Sequence, residues 1–173
     1  MAIETRKGGA RYNTGKPKYS YLLDFSPGAA ANLLSLQPRI TLAFNAIHRL
    51  FSQEVFEIST LNIAYYALYD LIPEEHRHGA EGFISLAEGI NRVCVKGAIK
   101  YAPRNWQKGL SSRDCFDCAV RHLLKINNGV ELDDESNEHH ACHVAWNILA
   151  ADWMLHNKKE FDDRSKHLCT AVV

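Results

Sequence analysis

The chain has 173 residues, 46% of them hydrophobic, enough to bury one core without staples but short for two independent domains. Twenty basic residues against twenty acidic ones leave no formal net charge, which excludes the broad basic surface that non-specific nucleic-acid or anionic-membrane binding requires. An anionic partner has to be held by a local group of cations.

The opening MAIETRKGGARYNTGKP lacks the apolar run of a signal peptide, and no stretch reaches the roughly 18 to 20 apolar residues of a membrane span. Five irregularly spaced cysteines read as reduced thiols. The expectation is a cytoplasmic protein without membrane contact. Residues 1–25, with Gly8, Gly9, Gly15 and Pro17 among Arg6, Lys7, Arg11, Lys16 and Lys18, form an irregular basic arm. From Ala29 to Leu71, two helices are predicted, one face carrying Ile40, Phe44, Ile47, Leu50 and Phe51 and the other Leu61, Tyr65, Leu68 and Tyr69. Pro73, His76, His78 and Gly79 interrupt the pattern, and Ile84 to Tyr101 resumes it through Leu86, Ile90, Val93, Val95 and Ile99.

The loop APRNWQKGLSS over 102–112 precedes a helix over Arg113–Asn127, capped by Ser112 and closed by Asn128-Gly129. Phe116, Ala119, Val120, Leu123 and Leu124 are its core stripe. The acidic connector ELDDES leads into a last helix from about Asn137 to His156. No run alternates as a strand does and no segment repeats, so the predicted fold is an all-α compact helical bundle in one domain. Its parts are the arm, a helical segment over 26–79, a core over 80–164 and a tail over 165–173.

On the last helix His139, His140, His143 and Asn147 project to one side, while Val144, Ala145, Ile148, Leu149, Trp153 and Leu155 make the rest apolar. Burying imidazole and amide groups costs free energy unless partners or a ligand satisfy them. The stripe is either a set of bonded core side chains or a site that uses imidazole on a phosphate, a proton or a metal. Cys115 and Cys118 form a CxxC that, with the histidines, has the spacing of a zinc site; the motif lies within a patterned helix beside its core stripe, so structural Zn²⁺ is the weaker reading. Lys100, Arg104 and Lys108, with Asn105, Tyr101 and Trp106, combine cations for phosphates with aromatic faces for a base. The same loop is otherwise a solvated connection anchored by Trp106. Asp117 and Arg121 stand at i, i+4 as a surface ion pair, with His122 on the opposite flank.

The segments GGARYNTGKPKY, GAIKYAPRNWQKG, RDCFDCAVRHLLKINNGVELDDES, EHHACHVAWNIL and FDDR together resemble a family of small phage proteins, the N-terminal domain of dATP/dGTP diphosphohydrolases. The likeness runs collinearly over residues 8–24 and about 92–164. It implies hydrolysis of a purine deoxynucleoside triphosphate to the monophosphate and pyrophosphate, with a divalent ion, Mg²⁺ or Mn²⁺. The positions that match are Lys100, Tyr101, Arg104, Asn105, Trp106 and Gly109, then Asp114, Arg121 and His122, and then Asp134, Glu135, Ser136, His139, His140, His143, Trp146 and Asn147.

The chain departs from the family in its segment over 26–79, and from other helical pyrophosphohydrolases in lacking their ExxE and ExxD carboxylates: Glu81 and Glu88 are seven apart. The expectation is a nucleotide-handling enzyme in which Lys100, Arg104, Lys108 and Arg121 hold phosphates and Tyr101 or Trp106 stacks on the base. Asn105 and His122 complete the substrate contacts, and Asp134 and Glu135 bind the metal. His139, His140, His143 and Asn147 serve the reaction. By analogy with helical pyrophosphohydrolases it is a homo-oligomer. The alternatives are a module that binds a nucleotide or nucleotide signal without turning it over, for instance to sequester it from the host, and a helical interaction protein.

Overall fold

The computed structural model describes residues 15–74 and 83–164. Gly8, Gly9, Arg6, Lys7 and Arg11 of the arm, His76, His78 and Gly79 of the break, Glu81, and the tail lie outside these residues. Six α-helices follow in order: α1 (Pro27–Leu33), α2 (Pro38–Ser52), α3 (Ile58–Leu71), α4 (Phe83–Tyr101), α5 (Ser112–Asn127) and α6 (His140–Asn157). Short 3-10 turns occupy Ser20–Asp24, Asn105–Lys108 and Lys159–Phe161. No strand forms among the described residues, only one isolated bridge between Leu132 and His139. The expected all-α architecture is present.

Three boundaries differ from expectation, each for a local reason. The segment 26–71 holds three helices, because Ser26 caps α1 through the Ala29 amide and Pro38 restarts the chain as α2 after Ser35 takes a positive φ. The cap of α5 is Ser111, whose Oγ accepts the Asp114 amide, so Ser112 already stands inside the helix. The last helix starts at His140, since residues 131–139 close into a tight loop: the His140 amide donates to Glu131 O and the Asp133 amide to Glu138 O. Asp134 and Glu135 therefore sit in that loop, away from the first turn of α6.

Helix α6 is the centre of the bundle. It packs on α5, α4 and α3, and buries Ala141, Val144, Ala145, Ile148, Ala151 and Met154 completely. Helix α2 lies across α3 and α5, where Phe44, Phe51 and Phe116 meet with ring centroids 5.3 to 6.4 Å apart. The described part of the segment over 26–79, which the family likeness left without a role, thus supplies much of the common core through α1, α2 and α3. Only α6 covers α4 extensively, so Val95 and Ile99, read from the pattern as core positions, are 52% and 81% exposed.

Two ends of the chain are clipped onto this core. Asp117, expected as a surface ion-pair partner of Arg121, is buried and accepts the amides of Tyr19 and Ser20, while Arg121 donates to Pro17 O. The arm from Pro17 to Ser20 is thereby held on α5. At the other end Asp163 accepts from Ser111 Oγ and the Arg113 amide, and Arg164 donates to the carbonyls of Phe51, Gln53 and Glu54. The FDDR segment is a clamp between the start of α5 and the end of α2.

Gly109 makes this clamp possible. Its φ of 127° suits glycine, and a Cβ there would overlap the Phe161 ring. Gly109→Ala should lower stability by about 2 to 4 kcal/mol in urea unfolding. A change below about 0.5 kcal/mol would show that Phe161 is not seated as described.

His48 is buried in the aromatic core, its Nε2–H donating to Leu22 O at 2.9 Å. Burial holds its pKa below the ordinary imidazole value, with backbone hydrogen bonds opposing. The folded state then binds fewer protons at this site than the unfolded chain, so the contribution is complete above the unfolded pKa of about 6.5 and fades as pH falls below it. Thermal unfolding between pH 7.5 and pH 5 should show a smaller acid loss in His48→Gln than in the parent; equal losses would place the titration elsewhere.

Candidate functional site

The loop between α4 and α5 departs from regular structure where it carries its cations. Ala102 (φ 107°) and Arg104 (φ 56°) both hold positive φ, which non-glycine residues adopt at a cost. Asn105 is buried, and Trp106 packs edge-on against Trp153 at 5.1 Å and Trp146 at 6.4 Å. The indole anchors the loop, leaving Arg104 exposed on its rim.

This loop, α4, α5, α6 and the 131–136 connector enclose a cavity of about 960 Å³. Lys16, Lys96, Lys100, Arg104, Arg121 and Lys125 bring cations to its wall, and Tyr101, Trp106 and Trp146 bring aromatic rings. Asn105, Asp133, Asp134, Glu135, Ser136, His122, His140, His143 and Asn147 also line it. Two ion pairs, both at 2.7 Å, tie α4 to the chain ahead of α6: Lys100 with Glu135 at the cavity wall, and Arg92 with Glu138.

Of the sequence-predicted residues, two stand outside this lining. Lys108 is exposed at the end of its 3-10 turn and is not among the lining residues. His139 precedes the helix, so the projection that aligned it with His143 does not apply; it is buried as the N-cap of α6, Nδ1 accepting the Ala141 amide. Asn147 lines the cavity and donates its Nδ2 to His143 O. Cys115 is buried in the core, and Cys118 accepts from Arg121.

The concentrated feature of the cavity is an imidazole cluster that joins two helices. His122 of α5, expected on a different flank, lies parallel to His143 with centroids 4.5 Å apart, and its Nδ1 stands 2.8 Å from His140 Nδ1. One nitrogen of that pair must donate and the other accept. His140 Nε2 is buried with no hydrogen-bond partner. Burial holds all three rings below the ordinary imidazole pKa: His140 falls to about 4, and His122 is held well below the ordinary value by burial first and then by the facing His143 and His140. Three neutral imidazoles result, each a ligand or a base.

A carboxylate that the sequence reading passed over completes the group. Asp133 Oδ2 accepts from both the amide and the hydroxyl of Ser136, and Ser136 Oγ stands 2.7 Å from His143 Nε2. Burial raises the Asp133 pKa, but the amide and hydroxyl hydrogen bonds from Ser136 oppose it, and the group stays below the ordinary carboxylate value and ionised. An ionised Asp133 takes the hydroxyl proton, so His143 donates Nε2–H to Ser136 and keeps a lone pair on Nδ1. The signal for Asp133 was the serine three residues on, a side-chain to backbone turn that picks one acid out of Asp133, Asp134 and Glu135.

A family model described as dATP/dGTP diphosphohydrolase, N-terminal, matches residues 69–164. A protein of Salmonella phage PMBT28 named dATP/dGTP diphosphohydrolase is 38% identical over 77 residues, which cover 44% of this chain and 26% of that protein. The chain thus spans about a quarter of the length of the curated relative it matches. No solved structure matches the chain. The family span contains α4, α5, α6, the cation-bearing loop and the whole imidazole cluster, and it takes in more than half of the residues. The chain therefore belongs to the dATP/dGTP diphosphohydrolase N-terminal family.

Proposed function

We propose that this protein hydrolyses a purine deoxynucleoside triphosphate, dATP or dGTP, to the monophosphate and pyrophosphate in a phage-infected cell. One observation carries the reading: a single cavity of nucleotide size joins phosphate-binding cations to an oriented, neutral histidine. The phage relative's name points to the same substrates.

Lys100, Arg104 and Arg121 hold the triphosphate in this reading, Arg104 by its forked guanidinium. Tyr101, beside Lys100 at the end of α4, offers a face to the base, because Trp106 is committed to the core. His143 acts as the base: the Asp133–Ser136 chain fixes its tautomer, and its Nδ1 lone pair takes a proton from water as the water oxygen attacks the α-phosphorus. The bond from that phosphorus to the bridging oxygen breaks, and pyrophosphate leaves. A divalent ion supplies charge for the phosphates when bound. Asp134 and Glu135 lie on the same connector as Asp133, and Glu135 already serves Lys100.

One observation favours a module that binds nucleotide without turnover. The acids that line the cavity all come from that single connector, whereas metal-dependent pyrophosphohydrolysis through Mg²⁺ draws on several oxygen ligands.

Purified protein incubated with each deoxynucleoside triphosphate, with and without Mg²⁺ or Mn²⁺, should release pyrophosphate and a purine monophosphate, resolved by chromatography. Arg104→Ala should raise KM about tenfold and His143→Ala should lower kcat about 10²- to 10³-fold. Intact nucleotides together with calorimetric binding would establish the binding module. Neither turnover nor binding would refute both readings.

A further inference from the structure

We infer that His122, Asp133 and His140 form a binding site for one divalent first-row transition-metal ion, with nitrogen ligands from two helices and an oxygen ligand from the connector between them. The inference deepens the proposed hydrolase reading, on which its catalytic meaning rests, although the site itself is argued from the donors alone.

The first argument is convergence. One ligand atom from each of the three residues lies within 4.8 Å of the other two, and all three residues line the cavity. His122 Nδ1 and His140 Nδ1 are 2.8 Å apart. Two nitrogens bound at about 2.05 Å to one ion in tetrahedral geometry stand about 3.3 Å apart. Metal binding thus needs the rings to part by only about half an ångström, with the ion replacing the shared proton.

The second argument is the cost of the arrangement without a cation. His140 is 3% exposed and sets its Nδ1 against the Nδ1 of a second ring, so one of the two lone pairs there is left without a proton to accept unless a tautomer is imposed. A hydrogen bond between two imidazoles does not explain why a third polar ring, His143, is stacked on His122 beside an ionised carboxylate. A divalent ion neutralises Asp133 and uses the imidazole lone pairs directly.

The third argument is the chemistry of the donors. Two imidazoles and one carboxylate match Zn²⁺, Mn²⁺ or Fe²⁺, while Mg²⁺ takes an octahedron of oxygens. Three protein ligands leave positions for water or a phosphate oxygen. Asp133 is suited to serve as one ligand among several. Its Oδ2 is taken by Ser136 and faces His143 Nε2 at 3.6 Å, so the other oxygen is the one that reaches the metal. Ser136 and His143 then act as the outer partners that orient a ligating carboxylate.

The full chain, stripped with chelator and dialysed, should bind one Zn²⁺, Mn²⁺ or Co²⁺ per molecule in calorimetry, at least about 100-fold more tightly than Mg²⁺. Bound Co²⁺ should show visible absorption bands of nitrogen and oxygen ligation, and the ion should raise the Tm. His122→Gln and Asp133→Asn should each weaken binding about 100-fold or more, while Glu135→Gln should stay within about threefold. His122 is only half-buried and Asp133→Asn keeps the side-chain shape, so circular dichroism should show both variants folded.

No transition-metal binding, binding unchanged in both variants, or loss of the ion in Cys118→Ser would overturn the site. Bound metal without nucleotide hydrolysis would retain the site and sink the hydrolase reading. Hydrolysis with Mg²⁺ alone and no transition-metal binding would do the reverse.

Discussion

At one end of the pair formed by α5 and α6, the amide of Leu110 reaches Met154 Sδ; at the other, His122 and His140 stand nitrogen to nitrogen. Helices joined at opposite ends in this way run antiparallel, and both turn their apolar stripes into the shared core. The polar residues at the far end of those stripes are largely withdrawn from bulk water and face the cavity. Burial of the pair is what keeps the imidazoles neutral, and neutral imidazoles are what make the cavity chemically useful. The connector matters for the same reason: its tight closure at Asn137, with φ 59°, brings Asp133 back against the rings.

The other elements set the size and access of the cavity. Gly89 lets α4 approach α6 at Cys142, where any side chain would collide with the sulfur. The ion pairs Arg92–Glu138 and Lys100–Glu135 then hold α4 to the connector, though both are partly exposed and each contributes little by itself. The arm clipped by Asp117 and Arg121 brings Lys16 to the wall. Motifs shared with the family therefore divide by task. FDDR and Trp106 secure the frame, whereas Arg104 and the histidines face the space it encloses.

Legibility in the sequence followed the range of the interaction responsible. Helix α5 could be read almost to the residue, because its cap, stripe and closing glycine all lie within one short stretch of chain, from Ser111 to Gly129. The cation-bearing loop was legible as a loop with an aromatic anchor, again from neighbours in the chain. His139 was misplaced by extending helical projection one residue past the start of α6. Asp117 looked like half of a surface pair, because nothing near it in sequence announces that the arm, nearly a hundred residues away, turns its amides onto it.

By itself the sequence determined an all-helical chain, a family, a dense set of histidines and a cation-rich loop, since these depend on periodicity, capping and composition. Only the tertiary structure decided which histidines meet, which of three consecutive acids faces them, and that α1, α2 and α3 complete the core. Periodicity fixes which side of a helix is apolar but not which helix covers it. The meeting of His122 with His140 and His143 is set by the crossing of α5 and α6, a packing outcome that depends on every side chain between them.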